Sequence, residues 1–290
     1  MSKKISDLTS ATTPLGGTEL IEIVQGGTSK KVAASYLSAA GGREKLSAAR
    51  TYYVRTDGSD SNNGLANTSG GAFLTIQKAV DTVSDGLDLG IYNVTVQVAD
   101  GTYTGAIVGK AVIGSGKITI QGNNSTPSNV HINVTGIAVS VTEPSHYLKI
   151  IDCKITGSSY GLFAIPHGVI EFGNVVFGAS SSSQVFSAYH AHINCVSNYT
   201  ISGGATYHIQ AGSGGTIRSY GNVVTLTGTP AFTAYLFVSD ASIAYLATTT
   251  YSGSATGSRY TVTTNGVAST GGATLPGNSA GTTATGGQYA

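Results

Sequence analysis

Between Tyr147 and Thr264 the apolar positions recur with a long and nearly constant period. Anchors stand at Leu148, Ile170, Ile193, Ile217 and Ile243, separated by steps in the low to mid twenties of residues. A second landmark follows each anchor: Ile155-Thr156-Gly157, Val176-Phe177-Gly178, Ile201-Ser202-Gly203, Leu226-Thr227-Gly228 and Tyr251-Ser252-Gly253. A third apolar run comes next, at Leu162–Ile165, Val185–Tyr189, Tyr207–Ile209, Phe232–Val238 and Tyr260–Val262. Three short strand-like runs per repeat, with no helical period between them, predict a solenoid of β-strands. The expected fold is therefore all-β: a parallel β-helix with three strands per coil. Ile170, Ile193, Ile217 and Ile243 should stack in one interior row.

Upstream, Leu20–Val24 reads as a strand, Gln25-Gly26-Gly27-Thr28 as a turn, and Lys30-Lys31-Val32 as a returning strand. Residues 36–49 suit either a hinge or a short helix. Thr75 is a good N-cap, and Ile76, Ala79, Val80 and Val83 fall on one helical face, so a capping helix is expected over about 75–84. Such a helix would cover the open edge of a first coil. The expected organisation is an N-terminal unit and linker over 1–50, a cap over 51–90, the β-helix over 91–265, and a Gly/Thr-rich tail over 266–290. By composition the tail is flexible, yet it is also the one segment able to cover the last coil.

Between first and second strands runs a polar ladder, Asp152, Asn174, Asn198 and Asn222. Residues of this type tolerate left-handed backbone and can hydrogen-bond from coil to coil, so the ladder reads as a row of turns.

Composition narrows the function. Of 290 residues, 40 are Gly and 16 Tyr, none is Trp, and only 10% are charged, for a formal net charge of +1. Without a basic stripe to neutralise phosphates, nucleic acid is not an expected partner. Nothing resembles a secretory signal or a membrane-spanning stretch, so membrane insertion is not expected, nor export by a standard N-terminal signal. Cys153 and Cys195 sit at different offsets and read as small hydrophobes.

Two resemblances add to this. The words Lys4-Ile5-Ser6-Asp7-Leu8, Thr13-Pro14-Leu15-Gly16-Gly17-Thr18-Glu19-Leu20 and Val24-Gln25-Gly26-Gly27-Thr28-Ser29-Lys30 resemble the N-terminal segment of bacteriophage tail-fibre and tailspike proteins. The run from Tyr52-Tyr53-Val54 through Phe73–Val80, Val94–Val98 and Ile118–Asn123 into the repeats resembles the right-handed parallel β-helix superfamily of pectate lyases and phage tailspikes. The resemblance implies a virion protein made in the host bacterial cytoplasm and attached to other virion proteins through residues 1–50. It also implies a homotrimer that binds host surface polysaccharide. A polysaccharide-cleaving tailspike and a purely structural head, neck or tail decoration are the alternatives.

Fold membership does not confer catalysis. From Val94 to Asn265 the acids are Asp100, Glu143, Asp152, Glu171 and Asp240. Glycoside hydrolysis needs two carboxylates roughly 5–9.5 Å apart, and only Asp152 and Glu171 fall on adjacent coils. They belong to different columns, and Lys149 beside Glu171 suggests a cross-strand ion pair, so no catalytic pair, metal or cofactor is expected. Asp57 and Asp60, in the loop Asp57–Gly64, lack the Glu of a calcium loop and read as a polar turn. Alternation places Tyr207 and Ile209 inward, His208 outward, and Tyr235 and Phe237 outward. Tyr189, His208, Tyr235 and Phe237 are thus the candidates for stacking sugar rings or for packing on sister chains.

Overall fold

The computed structural model describes residues 20–33, 42–144 and 146–290. The words at Lys4–Gly17 and the segment 36–41 lie outside the described residues. Two compact units divide the chain, Met1–Lys45 and Leu46–Ala290. In the first, Leu20–Gln25 and Thr28–Ala33 pair antiparallel about a turn in which Gly26 and Gly27 both take positive φ.

The second unit is a parallel β-helix. Among the described residues its three sheets contain ten, seven and eight strands, each hydrogen-bonded to the equivalent strand of the next coil. The first sheet runs from Arg50–Val54 to Gln288–Tyr289, the second from Gly101–Tyr103 to Thr250–Ser252, and the third from Ile107–Val108 to Thr282–Thr283. Arg50–Val54 already pairs in parallel with Val94–Val98, so the first sheet begins well before residue 91.

Parallel pairing in register stacks like on like. Leu148, Ile170, Ile193, Ile217 and Ala244 form one fully or nearly fully buried row on the first sheet. Val96, Ile120, Ile150 and Phe172 form the next row inward along the strands. Each large aliphatic side chain so buried contributes about 1.5–3 kcal/mol. Ile243 is not in the expected row: it pairs with Thr216 and is half-buried, and Ala244 takes the core slot beside Ile217. The preceding turn puts Asp240 and Ala241 at positive φ, and the strand leaves it one residue later than the repeat implies.

The capping helix spans Ile76–Gly86, with the Thr75 side chain accepting from the Lys78 N–H. Ile76, Ala79, Val80 and Val83 face the core, packed on the first strands. The loop before it is organised by Asp60, which accepts from the backbone N–H groups of Leu74 and Thr75 and from the Thr75 hydroxyl. Asp57 pairs with Arg55 at 2.8 Å. Both carboxylates of that loop therefore serve its own structure.

Glycines permit the tight corners. A Cβ on Gly157 would lie 1.8 Å from the Tyr160 carbonyl oxygen. The Gly/Thr-rich tail, flexible by composition, continues the solenoid: Val267–Ser269, Thr282–Thr283 and Gln288–Tyr289 extend the first and third sheets. Strand addition to an open edge is made by backbone N–H and C=O groups, which any residue other than Pro supplies. Leu275 is 1% exposed, and the Tyr289 ring lies parallel to Tyr260 at 3.7 Å.

Candidate functional site

The turn from the first to the second sheet carries the polar ladder, and beside it lies a groove of about 760 Å³. Gln121, Asn124, Lys149, Asp152, Asn174 and Asn198 supply its polar lining. Asp152 and Asn174 turn the chain at φ 63° and 48°. The Asn174 amide donates to Asp152 Oδ1 at 2.8 Å and to the Asn124 carbonyl at 3.0 Å. On the preceding coil the Gln121 amide donates to Asp152 Oδ2 at 3.0 Å. Asn198 accepts from the Val223 N–H at 2.8 Å, and Asn222 donates to Ser219 Oγ at 3.2 Å. Each rung is thus tied to its own or a neighbouring coil, though by different atoms.

Two amide donors address the two oxygens of Asp152, which is only 4% exposed. Glu171 stands three positions away along the strand, in register with Lys149. Three residues of strand span roughly 10 Å, at or beyond the widest carboxylate spacing that glycoside hydrolysis uses. No Lys149–Glu171 ion pair closes among the described residues. The Tyr147 hydroxyl instead donates to Glu171 Oε2 at 2.6 Å, and Lys117 sits over the Tyr147 ring at 4.1 Å. Burial first, and the Glu171 hydrogen bond second, push the Tyr147 hydroxyl well above its ordinary pKa of 10.0. Tyr147 is held as a donor.

The groove opens beside the outer face of the first sheet. Its central column reads Lys149, Glu171, Asn194, Arg218 and Tyr245, one residue per coil. Arg218 lies over the Tyr245 ring at 5.3 Å, and Tyr220 stacks on Tyr245 at 6.2 Å. Amides, one ammonium and a nearby aromatic pair can hold hydroxyl-rich ligands by hydrogen bonding and stacking.

Of the four aromatic candidates, two point the other way. His208 and Tyr235 are both 0% exposed and line the interior, so neither can touch a ligand outside the coil. The cause is a corner in the third sheet. The pairing passes from Tyr207–Ala234 directly to Ile209–Leu236, and Ala234, Tyr235 and Leu236 are buried in succession. At such a corner strict alternation fails. His208 is fixed there by Tyr199 Oη at 2.9 Å and Gln184 Oε1 at 2.7 Å, and burial holds its pKa down at about 3. Gln184 in turn donates to the Gly178 and Gly203 carbonyls, both at 2.7 Å. Tyr207, expected inside, is half-buried and stacks on the half-buried Phe237 at 4.8 Å. Tyr189 is 55% exposed, at a turn where it takes φ 53°.

Gln121, Asn124 and Lys149 complete the groove around Asp152, yet the repeat pattern alone singles out none of them as site residues. Gln121 and Asn124 precede the regular repeats, and the pairing of Gln121 with Ile151 is the signal that brings them in. Cys153 is buried and Cys195 half-buried, both free; burial raises the Cys195 thiol to about 12. No protein-family model, curated protein or solved structure matches the chain.

Proposed function

We propose that this chain is a β-helical attachment protein of a tailed-bacteriophage-type virion that binds a host surface glycan without cutting it. The observation that carries the reading is the amide-lined groove at the first turn, whose one carboxylate is buried and engaged by Gln121 and Asn174. Amide donors and acceptors match sugar hydroxyls, while a cleaving site needs a carboxyl able to give a proton beside a second carboxylate. The phage assignment is supported by the resemblance of residues 4–30 to virion attachment segments and by the β-helix itself. In this reading the N-terminal unit docks on other virion proteins.

Self-association as a homotrimer belongs to the same proposal. Phe163 and Phe186 stack at 5.1 Å on the outer side of the third sheet, and beyond Gln210 in the same column Phe237 stacks with Tyr207. Half-buried aromatics on an outward sheet face suit contact with a sister coil.

The test is calorimetry with purified surface polysaccharides from bacteria to which the fluorescently labelled protein adheres. Asn198→Ala and Lys149→Ala should weaken binding about tenfold or more, at roughly 1.4 kcal/mol per tenfold. Unchanged affinity in both variants would remove the groove from the proposal.

A further inference from the structure

The corner of the third sheet repeats from coil to coil, and on the strand before the last of that sheet it carries a half-buried cation. Gln184, His208, Tyr235 and Arg259 occupy the same place on successive coils, each between two in-register pairs. Gln184 and His208 are satisfied by neighbours within the coil. Arg259 is not. Its Nε is buried without a hydrogen-bond partner, and no carboxylate among the described residues forms an ion pair with it.

Two cavities meet at this side chain. One of about 450 Å³ is bounded by Tyr260, Thr270 and Tyr289, and one of about 320 Å³ by Tyr251, Ser254 and Asn278. Thr274 lines both. Asn278 accepts from the Gly257 N–H through Oδ1, which leaves its amide N–H groups as donors. The Tyr260 and Tyr289 rings, stacked face to face, border the larger cavity.

A guanidinium taken partly out of water with no carboxylate at ion-pair distance is costly, and its planar fork matches the oxygens of a carboxylate or phosphate. The geometry points to a binding site for a small oxyanion at the C-terminal end of the β-helix: Arg259 takes the anionic group, Thr274 and Asn278 add donors, and the stacked tyrosine pair borders the space for an attached sugar ring. This site is separate from the groove at Asp152 and stands or falls independently of it.

Calorimetry on the full chain tests it with three probes: glucuronate, inorganic phosphate and methyl glucoside. At low ionic strength at least one anion should bind ten or more times tighter than methyl glucoside. Arg259→Gln should abolish the preference, and Arg259→Lys should weaken it severalfold. Tighter binding of glucuronate than phosphate identifies a sugar carboxylate as the ligand, and the reverse identifies a phosphate. Should Arg259→Gln not fold, the comparison of anions with methyl glucoside in the wild type, together with Arg259→Lys, decides. Failure of both anions to bind, equal binding of methyl glucoside, or full affinity in either Arg259 variant would overturn the inference.

Discussion

Acid should loosen this β-helix from within, through His208. The side chain is fully buried, and burial depresses its pKa from 6.5 to about 3 in the folded chain. The unfolded chain therefore takes up the proton first as pH falls. Stability from this group is complete above pH 6.5 and is lost progressively as pH drops toward 3. Between those values the cost at pH 5 is about 2 kcal/mol, and at pH 4 about 3 kcal/mol. His131 and His192 are also depressed by burial, with Lys154 and Arg218 respectively acting in the same sense, so the wild-type slope alone does not isolate His208. His208→Gln removes the titration while keeping groups able to face Tyr199 and Gln184. The assay is urea unfolding at pH 7.5 and pH 5, paired with hydrogen exchange of the Tyr207–Gln210 amides, because coils of a solenoid open locally. Wild type should lose about 2 kcal/mol more than His208→Gln over that interval. Equal losses, or an NMR titration of the His208 ring centred near pH 6.5, would refute the buried, neutral imidazole.

Three further outcomes follow from the packing. Ile193→Ala, at 0% exposure in the stacked row, should cost about 2–5 kcal/mol by urea unfolding, and Ile243→Ala clearly less because Ile243 is half-buried. Gly157→Ala, whose Cβ would meet the Tyr160 carbonyl at 1.8 Å, should abolish folded protein, as read by circular dichroism and solubility. Light scattering of the full chain at micromolar concentration should give a trimer mass; a monomer mass would contradict the proposed self-association.

The stacked core was legible because parallel coils in register repeat apolar identity at a fixed spacing. Leu148, Ile170, Ile193 and Ile217 share one row for that reason. Ile243 escaped because the apolar residue beside it, Ala244, fills the slot equally well by pattern, and only the pairing decides. The third sheet defeated alternation at its corner, where His208 and Tyr235 turn inward against a period of two. The groove was half visible. Asp152 and Asn174 announced themselves as turn formers, whereas Gln121 and Asn124 come from a coil whose spacing departs from the repeat. Arg259 carried no signal, since an isolated Arg in a strand ordinarily faces water and only the three-dimensional corner shows its Nε buried.

Glycan binding without cleavage is tested most directly by incubating the protein with the surface polysaccharide it binds and sizing the polymer by light scattering. Binding through the groove, with Asp152 engaged by two amides and Glu171 by Tyr147, predicts a complex in which the polymer keeps its full length. Release of defined oligosaccharides, suppressed by Asp152→Ala or Glu171→Ala, would make the chain an enzyme and contradict the reading.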